Sequence, residues 1–275
     1  METGKIKNFI LIVLILTNLV LLGIFAVDKN TEREVERSAY DQLRTIYEQA
    51  GVSLPEGLNI MQKAPSGLGL RRDLAAEREM AEAVLGGCTV TEEGGNIYSY
   101  TGEKGYGQFR GNGDFNMLLN YGVVDGSRGK IKAARGLLED MGIECGSYSL
   151  EEVDGKQTRV VLDCAYEGSE VYNARVEFLF SGDTLMIVNG SRVFDTKDHG
   201  STAQTIDALT ALIRFLNESV DKGQVYSGIK SVSVGYTMSL DMSENCTLSP
   251  VWYIETDTGS HILNAVSGKM ESVNY

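Results

Sequence analysis

The feature that most constrains this chain is an uninterrupted apolar stretch near its N-terminus. Residues 8–27 read NFILIVLILTNLVLLGIFAV, in which only Asn8, Thr17 and Asn18 are polar and no side chain is charged. A helix of about 20 residues spans roughly 30 Å, which matches the hydrocarbon thickness of a bilayer. The stretch therefore predicts a transmembrane anchor.

Two basic residues before this stretch, Lys5 and Lys7, predict its orientation. Positively charged flanks stay in the cytoplasm, so residues 1–7 are expected to form a cytoplasmic tail and the remaining chain to lie outside the cell. A cleaved signal peptide is the alternative interpretation, but its apolar region is only about 7 to 15 residues long and ends in small residues. The best cut, after Ala26, leaves bulky Ile24 at the third position back, so we expect an uncleaved, single-pass protein of the cell membrane.

The composition favours a packed and acidic exterior. Apolar residues make up 43 % of the chain, it contains only 3 prolines, and its formal net charge is −13. Few prolines argue against long disordered linkers. An acidic surface repels nucleic acid and anionic headgroups, so no nucleic-acid partner is expected, and simple solubility also accounts for the charge.

Behind the apolar stretch, helical and strand patterns alternate. Predicted helices cover residues 31–50, 71–85 and 130–141, and a fourth follows the capping pattern Ser201-x-x-Gln204, with Ile206, Leu209, Ile213, Leu216 and Val220 on its buried face. Predicted strands cover residues 88–91, 96–101, 106–109, 115–119, 145–153, 158–166, 171–180, 184–193, 231–240, 250–256 and 261–265.

This order of elements predicts an α+β fold rather than a doubly wound parallel sheet. We expect antiparallel sheets that are each backed by a helix, in repeated helix-plus-strands units. The expected order after the anchor is a juxtamembrane helix at residues 28–50, a first extracytoplasmic domain at 51–126 and a second at 127–275.

The spacing of the four cysteines matches no zinc pattern, because none forms a Cys-x-x-Cys pair. A two-residue hairpin turn at Asp154-Gly155 would place Cys145 directly opposite Cys164. In an oxidising exterior this pair predicts a disulfide. The pair would fall in a hydrogen-bonded register, where side chains are further apart, so two buried thiols are the alternative.

Catalytic signatures are mostly absent from the sequence. The two histidines, His199 and His261, are far apart, and no Gly-x-Ser-x-Gly elbow, Walker loop or Gly-x-Gly-x-x-Gly occurs. Ser127-x-x-Lys130 and Ser227-x-x-Lys230 match a serine–lysine motif but lack its companion elements. We therefore expect a non-enzymatic protein with no catalytic, cofactor-binding or metal-ligating residues.

Two polar side chains inside the predicted anchor point to a partner instead. Thr17 and Asn18 lie near the middle of the stretch. An unpaired amide is costly within a bilayer and tends to seek a neighbouring helix, so both residues are predicted partner contacts.

The C-terminal part resembles a known family. The residues that carry the resemblance are Pro250 and Trp252 in a strand, Asn264 and Gly268 in the run Asn-Ala-Val-Ser-Gly, and Tyr236 in the preceding strand. Together with one membrane helix and an exterior of this length, the region from about residue 206 to 268 is similar to the YycI/YycH family and to PepSY-like modules. We interpret the five residues first as determinants of the fold.

The resemblance implies regulation. YycI and YycH are membrane-anchored accessory proteins of the WalK (YycG) sensor histidine kinase, which governs cell-wall metabolism in low-GC Gram-positive bacteria. The expected partners are therefore a sensor histidine kinase in the membrane and a YycH-like paralogue in a heterodimer. The alternative is a PepSY-like envelope module, protease-inhibiting or ligand-binding, that the membrane helix only tethers.

Overall fold

The computed structural model describes residues 34–194, 196–200, 203–240 and 245–271 of the chain. The predicted tail and anchor, with Thr17 and Asn18, lie outside the described residues. Among the residues that are described, no helix has both the length and the apolarity of a membrane span.

Helices and strands alternate along the described chain. The helices are α1 (residues 34–49), α2 (Leu74–Leu85), α3 (Lys130–Asp140) and α4 (Ala208–Asp221). The strands are β1 (Leu68–Arg71), β2 (Thr89–Gly94), β3 (Ile97–Gly102), β4 (Gly105–Arg110), β5 (Asp114–Leu119), β6 (Cys145–Asp154), β7 (Gln157–Tyr166), β8 (Ser169–Ser181), β9 (Thr184–Ser191), β10 (Thr196–Gly200), β11 (Ile229–Leu240), β12 (Asn245–Thr256), β13 (Ser260–Asn264) and β14 (Met270–Glu271).

The strands form two antiparallel sheets. In the first sheet the order is β2-β3-β4-β5-β9-β8-β7-β6, and α2 and α3 pack on one of its faces. In the second sheet the order is β10-β1-β12-β11, with β13 and β14 added beside β12. A single parallel bridge between Tyr236 of β11 and Val171 of β8 joins the two sheets.

The apolar core follows this division. The largest cluster of buried side chains lies between the first sheet and helices α2 and α3, and it reaches β12 through Cys246 and Leu248. Two smaller clusters pack α1 and α4 against the second sheet. The predicted α+β class, with strand runs backed by helices, is therefore confirmed for the described residues.

The fourth helix differs from its prediction in start and in face. It begins at Ala208, because the side chain of Asp207 caps it by accepting a hydrogen bond from the Thr210 amide at 2.8 Å. Its buried face contains small residues such as Ala211, which let the helix approach the second sheet closely. Val220, which was predicted to be buried, is 69 % exposed.

Some strands were not predicted at all. β1, β10 and β14 have no counterpart in the sequence prediction because they are short and carry too few residues to show an alternating pattern. The predicted domain boundary between residues 126 and 127 separates β5 from α3, and β5 pairs with β9 across it. The division into two domains stays a prediction.

Candidate functional site

Two residues of the C-terminal motif, Pro250 and Asn264, line a cleft in the second sheet. β1 and β13 pair with the same edge of β12, β1 with residues 245–248 and β13 with residues 251–255. Ser249 and Pro250 lie in the gap between them. Proline has no amide hydrogen, so this position loses no strand hydrogen bond, and the Pro250 carbonyl accepts one from the Ala265 amide at 2.8 Å.

The cleft has a volume of about 300 Å³, and its walls combine apolar side chains such as Leu68 and Val266 with backbone, hydroxyl and amide groups. Besides Ser249 and Pro250, its walls include Thr247, Asn264 and Ser267. Hydroxyl groups such as those of Thr247 and Ser249 both donate and accept hydrogen bonds. These walls therefore offer apolar contact together with hydrogen bonding to a neutral polar group.

Asn264 builds the turn that closes one side of the cleft. Its side-chain oxygen accepts hydrogen bonds from the amides of Val266 and Ser267, at 2.9 and 2.8 Å, and its side-chain nitrogen donates to Glu271 at 2.8 Å. Gly268 follows with φ of +69° and donates its amide hydrogen to the Asn264 carbonyl at 2.8 Å. This backbone conformation favours glycine.

The other two motif side chains of the sheet, Trp252 of β12 and Tyr236 of β11, lie outside the lining of the cleft. Trp252 is completely buried, and its indole nitrogen donates to the carbonyl of Ile206 at 3.2 Å, just before α4 begins. Tyr236 pairs with Pro250 across β11 and β12, and its hydroxyl donates to the Ser66 carbonyl at 3.4 Å. Burial raises the pKa of Tyr236.

The structure places Cys145 directly opposite Cys164 on β6 and β7, both as free thiols. The turn differs from the prediction, because Asp154 pairs with Gln157 and two register shifts in the hairpin restore the opposition of the cysteines. Burial raises the pKa of Cys164 to about 12, and its thiol donates to the Ser191 carbonyl at 3.4 Å. The disulfide stays a prediction.

A buried charged cluster was missed by the sequence analysis. Glu77 of α2 is completely buried and accepts hydrogen bonds from Arg72 at 2.8 and 2.9 Å, from Arg192 at 2.6 Å and from the Tyr100 hydroxyl at 3.0 Å. The available signal was local, because Glu77 precedes the buried Ala81 by four residues and so lies on the inward face of the helix. The distant Arg192 carries no such signal.

The model of the YycI protein family matches residues 128–268. No curated protein matches the chain. Among solved structures, an uncharacterized protein from Eubacterium rectale ATCC 33656 is similar in fold, with 9 % identity and a TM-score of 0.51 over 82 % of this chain and 91 % of that chain. The C-terminal domain of Bacillus megaterium YpeB has 12 % identity and a TM-score of 0.38 over 74 % of this chain and 97 % of that chain.

Proposed function

The chain belongs to the YycI protein family, and we propose on this premise that it is a non-enzymatic accessory protein that modulates a sensor histidine kinase of the WalK (YycG) type. The family match is the observation that carries the proposal. It confirms the predicted resemblance and extends it, since it begins at residue 128 instead of near residue 206. The matched part includes α3, α4 and the strands from β6 to β13, and with them Pro250 and Asn264 of the cleft, whereas the cleft wall formed by β1 lies outside it.

The proposal places the chain in the cell membrane, with residues 8–27 as its anchor and the described part outside the cell. The anchor is the proposed contact with the kinase, through Thr17 and Asn18. A YycH-like paralogue is the proposed second partner, in a heterodimer. In this arrangement the exterior acts on the kinase by changing how the anchor packs against the kinase helices.

Packing of α1 supports such a transmission. The second half of α1 buries Leu43 and Tyr47 in the same cluster as Leu212 and Phe215 of α4. The Tyr47 hydroxyl also donates to the Leu212 carbonyl at 2.8 Å. α1 is the first described element after the predicted anchor. In this proposal, a movement of the exterior therefore also moves α1, and α1 passes the movement on to the anchor.

The energy that this transmission needs is modest. A coupling of about 1 to 3 kcal/mol between two sites changes an equilibrium about 5- to 150-fold. A two-state kinase responds whenever its partner binds one state better than the other. The family motif and α1 are both packed on α4, so a ligand or partner at the exterior acts on one connected body.

The first experiment is a pull-down of the tagged full-length protein from its own membranes in mild detergent, read by mass spectrometry. Recovery of a sensor histidine kinase supports the proposal, and recovery of a YycH-like paralogue supports the heterodimer. Recovery of envelope proteases or wall polymers without any kinase would contradict it.

The second experiment tests the anchor contact. Asn18→Leu removes the amide from the anchor and is expected to weaken association with the kinase in a bacterial two-hybrid assay. Ile15→Leu, a change between apolar residues in the same stretch, is the matched control. Equal association of both variants with the kinase would remove Asn18 from the contact.

The third experiment separates regulation through the anchor from the PepSY-like alternative. The exterior is moved onto an unrelated membrane helix, and kinase output is measured. Modulation through the anchor predicts that output no longer responds to the protein. An envelope module that the helix only tethers would keep its function after this exchange.

A further inference from the structure

The face of the first sheet that lies opposite α2 and α3 carries a polar groove. Alternate residues of its central strands, such as Phe109, Met117 and Val188, point into the core and are buried. The residues between them point to the other face, where β4, β5, β9 and β8 enclose a groove of about 450 Å³. Neither the family match nor the motif cleft involves this face as a site.

A row of polar side chains crosses the groove at right angles to the strands. Register pairs Ser99 with Gln108, Gln108 with Asn116, Asn116 with Asn189 and Asn189 with Glu177. These side chains therefore stand side by side on neighbouring strands, which are spaced about 4.8 Å apart. The row presents three neighbouring carboxamides followed by a carboxylate.

Two of the carboxamides, Asn116 and Asn189, keep hydrogen-bonding capacity for a ligand, whereas Gln108 donates to Glu93 at 3.0 Å and accepts from Arg110 at 3.2 Å. The Asn116 side-chain nitrogen donates to the Asn189 side-chain oxygen. This bond leaves the oxygen of Asn116 as an acceptor and the nitrogen of Asn189 as a donor, next to each other. A donor beside an acceptor matches two neighbouring hydroxyl groups.

The two flanks of the row differ in character. On one side, register places Tyr106, Leu118, Ile187 and Leu179 in an apolar row, in which Leu118 is 48 % exposed. On the other side, the groove is lined by Arg110, Asp114 and Arg175. With Glu177, the lining holds two cations and two anions, so it favours a ligand without net charge.

The floor of the groove is the backbone of the sheet and includes Gly190. Gly190 pairs with Phe115 and Val176, whose side chains are buried in the core, so its Cβ position lies on the core face. A Cβ atom there would meet the Val176 side chain at 2.8 Å, so the glycine allows close packing on the core side.

We propose that this groove binds a neutral oligosaccharide that lies across the strands. Sugar hydroxyls would bond to Asn116 and Asn189, and the apolar faces of the rings would lie against Tyr106 and Leu118. The strand spacing of about 4.8 Å is comparable with the length of one pyranose unit, so successive units meet successive strands. The proposal is independent of the kinase partner.

The test is calorimetric titration of the full-length protein in nanodiscs with cellotetraose and with chitotetraose. Saturable binding of at least one of these neutral probes is expected. Asn116→Ala and Asn189→Ala should each weaken that binding about tenfold, because each removes a hydrogen-bonding side chain. Asn217→Ala, the same change on the exposed surface of α4, is the matched control and should bind as the unchanged protein does.

Circular dichroism of each variant establishes that the fold is kept before binding is compared. Absence of binding to both tetrasaccharides at millimolar concentration would overturn the proposal. So would binding that Asn116→Ala and Asn189→Ala leave unchanged. Tighter binding of a polyanion such as heparin than of either neutral probe would also overturn it, because the groove charges balance.

Discussion

The interior around Glu77 and the interior around Trp252 are both completely buried, yet they are built in opposite ways. Glu77 is surrounded by charge, with the guanidinium groups of Arg72 and Arg192 within 2.9 Å of its carboxylate oxygens. Trp252 is surrounded by apolar side chains such as Leu263, and its indole nitrogen donates one hydrogen bond to a backbone carbonyl.

The charged cluster connects separate parts of the fold. Arg72 directly follows β1 of the second sheet, Arg192 directly follows β9 of the first sheet, and Glu77 belongs to α2. The guanidiniums also lie over aromatic rings, Arg72 over Tyr98 at 5.1 Å and Arg192 over Phe194 at 5.2 Å. The cluster thus fixes the junction between the sheets by directional contacts, which apolar packing does not provide.

The difference predicts how each region responds to change. An apolar core tolerates changes of shape at a graded cost, because neighbouring side chains relax around a smaller residue. A buried ion pair that loses one partner leaves an uncompensated charge. The region around Glu77 is therefore expected to be the more sensitive of the two to a single substitution.

Glu77→Ala should have the largest effect. It leaves two buried guanidinium groups without their carboxylate, which is expected to cost about 3 to 5 kcal/mol of the free energy of unfolding. The measurement is urea denaturation followed by circular dichroism. Glu79→Ala, on the exposed face of the same helix, is the control and should cost less than about 0.5 kcal/mol. Equal losses in the two variants would show that the cluster does not stabilise the junction.

Local patterns in the sequence were sufficient for most elements of this fold. Alternating residues predicted β11, and a stripe of apolar residues predicted α3, because each element has one buried face. The face of α4 was misjudged because Ala208 and Ala211, which are buried, are less apolar than Ile213, which is 41 % exposed. The small side chains at these positions let the helix approach the sheet closely, and a hydrophobic pattern does not reveal this role.

Sites that depend on distant pairing were less predictable. The motif residues Pro250 and Asn264 were identified, but the cleft between them exists only because the short strand β1 pairs with part of β12. The charged cluster joins Glu77 to Arg192, and the polar groove joins Gln108 to Asn189 through two register pairs. Residues that form such contacts do not recur at a regular spacing along the chain, so a sequence pattern cannot predict them.

Oxidation of Cys145 and Cys164 should have the next largest effect. Closing a loop of about 15 residues or more by a disulfide stabilises a protein by about 3 kcal/mol in the chain-entropy model. We expect the oxidised protein to gain up to that amount over the reduced one, and Cys145→Ser to lose the gain. The disulfide would strengthen the first sheet alone, since Cys246 of the second sheet pairs with Leu70 and Leu240 and has no thiol opposite.

The measurement is urea denaturation of the protein with and without a reductant, with mass spectrometry under non-reducing conditions to locate the bond. Cys246→Ser is the control for the loss of a thiol outside the pair. Alkylation of both Cys145 and Cys164 in oxidised, denatured protein would show that the two thiols stay apart.

Trp252→Phe should have a smaller and graded effect. The smaller ring leaves space in the core and leaves the Ile206 carbonyl without its indole donor, which together are expected to cost about 2 kcal/mol. The measurement is again urea denaturation. Tyr253→Phe, on the other face of β12, is the control and should cost less. A loss as large as that of Glu77→Ala would contradict the proposed difference between the two interiors.

The smallest effect is expected from His261, which makes the stability of the apolar region depend on pH. His261 of β13 lies 5.2 Å from Phe215 and 6.4 Å from Tyr226 between ring centroids, and burial lowers its pKa below the ordinary 6.5. The folded state therefore disfavours protonated His261, whereas the unfolded state protonates it as the pH falls through 6.5. The stability that the neutral ring provides is complete above this pH and is lost as the pH falls below it.

Urea denaturation at pH 7.5 and at pH 5.5 measures this loss, and His261→Gln isolates it from the titration of other groups. The unchanged protein should lose more stability between these two pH values than the variant does. Because the Nε2 atom of His261 is buried and has no hydrogen-bond partner among the described residues, no contact offsets the added charge. An equal loss in both proteins would mean that His261 becomes protonated in the folded state at its ordinary pKa, and that the apolar region accepts a charge as readily as the cluster around Glu77 does.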